Sequence, residues 1–384
     1  MSQPPEPASH SVTLFLCGDV MTGRGIDQIL PHPCKPHLFE PYMRSALGYV
    51  ELAEKVAGPI RRPVDLAYIW GDALAELGRV RPDARIINLE TAVTVAEDAW
   101  VGKGIHYRMH PANVPCLGAA KIDCCVLANN HVLDWGHGGL AETLATLQGA
   151  GIRTAGAGHD ETGAAAPAVI DVPGKGRVLV YACGMESSGV PRVWAAAKRR
   201  AGVHFLSDLS AKSADAVAQQ VRRAKRAGDI AVFSIHWGGN WDYDIPREQR
   251  DFAHRLIDDA GVDLVHGHSS HHVKGIEIYC GKLILYGCGD FLNDYEGITG
   301  GHQAYRSDLA LMYFPTLDAA TGRLVRLALT PTQTRRFRVN RAPEDCVRWL
   351  EDTLNREGRQ FGTRVERQAD DSLLLHSQGP FSAP

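Results

Sequence analysis

Five short apolar runs in this chain each end on side chains able to hold a cation, and that recurrence limits the folds open to it. LFLC ends at Gly18-Asp19, RIIN at Leu89-Glu90, and CCVLA at Asn129-Asn130-His131. IAVFSI ends at His236 and the Trp237-Gly238-Gly239 turn, and VDLV ends at His266-Gly267-His268-Ser269-Ser270-His271-His272. Continuous apolar runs of this length read as strands buried on both faces, not as half-exposed alternating ones. In open α/β sheets, ligands lie just beyond the carboxyl ends of the strands. Five such endings therefore predict one site, assembled at one sheet edge.

Helices are expected between the strands, at 65–79, 112–120, 137–150, 211–227 and 246–260. Strands expected at 273–279, 282–287, 308–314 and 324–330 follow one another closely, so the late part is expected to be antiparallel and to help build a second sheet. The segment 31–64 carries six prolines and reads as an insertion. Residues 1–11 are polar and read as a disordered tail; 336–384 read as a C-terminal helix, near 343–357, and a polar tail. The main domain is expected to span 12–335.

Two carboxylates, an amide oxygen and several imidazoles brought to one point would leave charged groups partly desolvated, which costs several kcal/mol unless a cation compensates. The candidate metal ligands are Asp19, Glu90, Asn130, His236, His268 and His271, with His266 or His272 as substitutes for a member of the final pair. Mixed nitrogen and oxygen donors suit one or two divalent ions of Mn²⁺, Fe, Zn²⁺ or Ni²⁺ better than Mg²⁺ or Ca²⁺. Arg108 is a candidate substrate-binding residue, since a guanidinium fork matches carboxylate or phosphate. Trp237, beside His236, is a candidate pocket wall. Asp290 and Asp294 are candidate partners for the histidines.

Taken in order, GDVM, NLET, ANNH, SIHWG and GHSSHH resemble the signatures of the CapA/PgsA-type capsule (poly-γ-glutamate) biosynthesis family, and GIEIYCGKLILYGCGDFLNDYE resembles its late strand pair. The resemblance covers about residues 12–330. It implies the fold of the calcineurin-like metallophosphatases, a four-layer α/β/β/α sandwich with two mixed sheets. It implies metal ligation by Asp19, Asn130, His236, His268 and His271, with Glu90 in the place of a bridging aspartate. It also implies that His131 protonates the leaving group. Position 21 is Met21 where the phosphatase pattern has histidine, and the final pair is spaced H-x-x-H, not H-x-H. Asn240 and Asp290 also depart from the family's usual glutamate and asparagine.

The implied activity is metal-dependent hydrolysis of a phosphoester or a γ-glutamyl-type amide by metal-activated water. The alternatives are an accessory, non-catalytic role in polymer synthesis and export, and a specialised-metabolism enzyme acting on a small molecule. The expected partner is an anionic small-molecule or polymer substrate. A net charge of -3 with no basic block argues against nucleic acid. No apolar run approaches the ~20 residues that span a bilayer, so neither a membrane anchor nor a location outside the cytoplasm is expected. Nine scattered cysteines without a C-x-x-C pair fit a reducing compartment. Nothing in the sequence fixes an oligomeric state. G-x-S-x-G and Walker patterns are absent, which removes two other chemistries.

Overall fold

The computed structural model describes residues 11–377. Two large mixed sheets organise them. In the ten-stranded sheet, Ser11–Val20 pairs in parallel with Ala84–Leu89, which continues through Cys124–Val126 to Arg153–Ala155. On its other side, Ser11–Val20 runs antiparallel to Leu309–Asp318, which pairs in turn with Leu324–Thr334. The seven-stranded sheet is built on Gly176–Met185, Ile230–His236, Leu264–His268 and Lys282–Leu285, all parallel.

The apolar runs divide their side chains by strand alternation. Phe15 and Cys17 point into a core with Leu140 and Leu147 of the Gly136–Gly149 helix and Tyr49 of the Leu47–Ala57 helix. Leu14 and Leu16 point the other way, into a second core that also holds Val178, Val180 and Val232 of the other sheet. A third core joins Tyr181 and Phe233 to Val217 and Phe252 of the Ala211–Ala224 and Arg247–Asp258 helices. Burial on both faces is why these strands read as unbroken apolar runs. Ser210 starts the Ala211–Ala224 helix by accepting a hydrogen bond from the Ser213 amide.

Several expectations change. The helix expected over 65–79 is confined to Ala73–Val80, because Gly71 takes a φ of 46° and breaks the turn before it. The 31–64 segment holds the Leu47–Ala57 helix, whose Tyr49, Val50 and Ala53 enter the first core. After the Glu344–Gly358 helix, the segment read as a polar tail carries the strands Thr363–Arg367 and Leu373–Ser377, which pair with each other and join the larger sheet beside Leu324–Thr334. Only one face of this hairpin is covered; Arg364 and Glu366 point to solvent and hide the pattern. Of the 1–11 tail, Ser11 begins the first strand; residues 1–10 and 378–384 lie outside the described residues. Among the described residues no helix is long and apolar enough to cross a membrane.

Candidate metal centre

The carboxyl ends of five strands meet, but they belong to two sheets, not to one edge. Asp19, Glu90 and Asn130 follow strands of the ten-stranded sheet, while His236 and His268 end neighbouring strands of the seven-stranded sheet. Parallel pairing sets His236 against His268 and Asp19 against Asn88. The close approach of the Asp19 strand to the Gly289 turn requires Gly18, since a Cβ there would lie 1.7 Å from the Gly289 carbonyl oxygen.

Asp19 is the hub. Its Oδ1 accepts from Asn88 Nδ2 at 2.7 Å, and its Oδ2 accepts from the Ser269 amide at 3.3 Å. Ser269 holds a φ of 102°, a strained conformation for a residue with a side chain, and this strain sits against the site. Asp19 groups with His236 and His268 on one side, and with His271 and Asp290 on the other; in each trio the donor atoms lie within 4.8 Å of one another and all are buried. Asn129 holds Asn88 in place by donating to its Oδ1 at 3.0 Å.

Six of the residues singled out in the sequence come together. His236 Nδ1 and His268 Nδ1 face each other at 2.7 Å, and His268 Nδ1 lies 3.9 Å from Asp19 Oδ1. His236 Nε2 lies 3.2 Å from Asn130 Oδ1 and 3.9 Å from Glu90 Oε1. His271 Nδ1 meets Asp290 Oδ1 at 2.8 Å, so Asp290 stands among the donors themselves. His131, the expected acid, sits beside them with Nε2 3.8 Å from Glu90 Oε1.

His266 and His272 are otherwise engaged. His266 bonds Ser234 Oγ and the Cys17 carbonyl, and His272 bonds the Asp242 amide and the Val273 carbonyl. Arg108 and Trp237 also lie apart from the donors. Arg108 donates to the carbonyls of Ala96 and Lys35 and stacks over Trp135. Trp237 is buried in the third core with its Nε1 on the Tyr286 carbonyl. Trp241, four residues on, rests its ring 5.2 Å from that of His271. Asp294 binds Arg24, not a histidine.

The electrostatics are those of a cation site. Burial, then the nearby Asp290, raises Asp19 to about 7. Burial, then Asp19, pushes Glu90 well above the carboxylate range. Burial drives His236 and His268 well below the ordinary histidine value. Burial lowers His271, but Asp290 and Asp19 together more than offset it and leave the imidazole raised. Carboxyls that resist ionising and imidazoles that stay neutral, with two ring nitrogens facing at 2.7 Å, form a donor set that a divalent ion satisfies.

Three further residues escaped the sequence reading. Asp134 Oδ2 lies 2.6 Å from His131 Nδ1, and Lys103 Nζ lies 3.0 Å from the same nitrogen while also donating to Asp134 and to the Asn130 carbonyl. Asn88 orients Asp19. Asn88 and Glu90 share a face by strand alternation, a signal present in the sequence, and Asp134 stands three residues after His131. Lys103 comes from a loop with no periodic pattern.

Fold and site thus define an α/β protein with a buried Asp/His centre shared between two sheets. The chain belongs to the CapA/PGA_cap capsule synthesis family: the family model described as bacterial capsule synthesis protein PGA_cap matches residues 13–295. It is 51% identical over 363 residues to a probable polyglutamine synthesis accessory protein of Mycobacterium tuberculosis, covering 94% of this chain and 95% of that one. It is 28% identical over 308 residues to the PGA biosynthesis protein CapA of Bacillus subtilis, covering 80% and 68% of the two chains. Capsule biosynthesis protein CapA of Bacillus anthracis is 23% identical over 286 residues, covering 74% and 61%.

Proposed function

We propose that this chain is a metal-dependent hydrolase acting on a phosphoester or a γ-glutamyl-type amide. The observation that carries this is the sharing of Asp19 by two buried donor trios, with an acid–base residue, His131, alongside. Three separate apolar cores, one of them common to both sheets, support the metallophosphatase-like four-layer α/β/β/α arrangement. Asp19, His236 and His268 would hold one ion, with Asn130 and Glu90 beside His236; Asp19, His271 and Asp290 would hold the other. Bound there, a divalent cation supplies a Lewis acid for the substrate's oxygen and acidifies a water.

The chain's own residues supply the rest. Asp134 and Lys103 occupy His131 Nδ1, so Nε2 is the atom left to pass a proton to the leaving group. Burial lowers His131 to about 4, with Asp134 opposing and Lys103 reinforcing the shift, so the ring is neutral near pH 7 and must take up a proton before it passes one on. Asn88 fixes Asp19, and Ser269 supplies an amide to its second oxygen, so the hub carboxylate has little freedom to turn. The substrate is proposed to be an anionic small molecule or polymer.

The test is metal analysis of the purified protein, followed by a screen of phosphoesters and γ-glutamyl amides with Mn²⁺ added. Turnover abolished by Asp19→Ala supports the reading; a metal-binding protein silent towards both classes overturns it. That second outcome would favour an accessory role in polymer synthesis, the role named for the Mycobacterium tuberculosis relative.

A further inference from the structure

A cavity of about 600 Å³ opens beside His271, within the size range of small-molecule sites. It reaches the centre through His271 and Asn240. Among the described residues lining it, Arg24 is the one arginine or lysine. Its charge is already spent. Asp294 takes Nε at 3.1 Å and Nη2 at 2.5 Å, Glu40 takes Nη1 at 2.9 Å, and both carboxylates are fully buried. The rings of Tyr49 and Tyr107 cover the guanidinium at 4.0 and 4.3 Å. A polymer bearing a carboxylate on every residue finds no free cation along this wall.

The wall offers apolar surface instead. Tyr42, Ile105 and Ile298 line the cavity and are 68%, 37% and 41% exposed, an unfavourable arrangement without a ligand to cover it. Trp241 stacks on His302 with parallel planes and centroids 4.5 Å apart, and the pair gives the cavity an aromatic face beside His271, whose ring lies 5.2 Å from that of Trp241. Such a face suits a planar or branched apolar group.

We propose that the substrate is a small molecule with one anionic head, held at the metal centre, and an aromatic or branched apolar body seated in this cavity. The inference rests on reading the centre as a substrate-binding metal site, and it assigns the substrate's class.

The test is calorimetric binding of phenylphosphonate and methylphosphonate to the full chain with Mn²⁺. Burial of a ring predicts phenylphosphonate tighter by about tenfold or more. Trp241→Ala, or Ile298→Asp on the exposed loop should one variant misfold, is expected to cut that ratio to below about threefold while methylphosphonate affinity stays nearly constant. Equal affinities, no binding of either probe, or tighter binding of a γ-linked glutamate trimer would each overturn the proposal. Its failure is separable from that of the hydrolase reading. The aryl preference without cleavage of any ester or amide removes the hydrolase and leaves the cavity assignment; turnover with equal phosphonate affinities does the reverse.

Discussion

His131 and Asp134 are joined through Nδ1 and Oδ2 at 2.6 Å, three residues apart on one turn, and the bond fixes which ring nitrogen faces Glu90. This pair separates proton transfer from ion binding. His131→Ala is expected to lower kcat by about 10²–10⁴-fold with the metal content unchanged, and Asp134→Asn to fall part of the way by releasing the ring. Parallel kinetics and metal analysis check both; loss of metal in His131→Ala would place that residue among the ligands.

Asp19 belongs to both donor trios, while Asp290 belongs to one. The native chain is therefore expected to bind about two ions. Asp290→Asn should bind about one, and Asp19→Ala should fall towards none. Stoichiometric metal retained by Asp19→Ala would show that the hub lies elsewhere.

Asp19 should contribute a pH-dependent part of the stability, in the direction set by its raised carboxyl. Asp19 titrates near 7 in the fold, against about 4 for an unfolded aspartate. A group raised in this way stabilises the fold fully below its unfolded value, and that contribution is lost as pH rises through the folded one. Burial lowers His131, His236, His266 and His268 and acts in the opposite sense, so the Asp19 contribution is read as the Tm of the metal-free native chain minus that of Asp19→Asn, a difference that should decline between about pH 4 and 7. Mn²⁺ added at pH 8 should restore it, because the ion binds the folded carboxylates only. Thermal melts of both chains with and without a chelator decide the matter; a metal-free Tm difference that grows towards pH 8 would contradict the assignment.

Lys103 is half-buried against three acceptors around His131 and helps hold the imidazole below its ordinary value. Lys103→Met should raise the His131 pKa and, since His131 acts as the acid, move the basic limb of the pH–rate profile upward. It should also cost about 1–3 kcal/mol, since Asp134 and the Asn130 carbonyl lose a donor. An unmoved basic limb, with stability reduced, would reduce Lys103 to a packing role.

The candidate donors were legible because each lies at, or within four residues of, the carboxyl end of a strand buried on both faces, where a polar residue interrupts an apolar run. Asp19, Glu90, Asn130, His236, His268 and His271 all carry that signature, and the structure brings them together. What the sequence could not show was that Ile230–His236 leads a different sheet from Ser11–Val20. Both strands look alike in one dimension, and only pairing separates them. Arg108 and Trp237 turn their side chains to the carbonyls of Ala96 and Tyr286, and their hydrogen bonds do not place them against the candidate donors. Lys103 left no trace at all, since a loop residue reaches its partners through chain geometry that no periodicity records. The terminal hairpin hid behind Arg364 and Glu366, outward residues of an edge pair.

Because the candidate donors are divided between two sheets, an ion held there would be a clasp across a seam. Leu14 and Leu16 of one sheet meet Val178 and Val180 of the other in the core beneath it. The thickness of that hydrocarbon layer sets how far Asp19 stands from His236 and His268. Coordination shells differ between ions by tenths of an ångström, and a methylene gained or lost in a close-packed interior shifts its surroundings on that scale. Ion preference can therefore drift through changes at aliphatic positions far from any donor atom, with every ligand left in place.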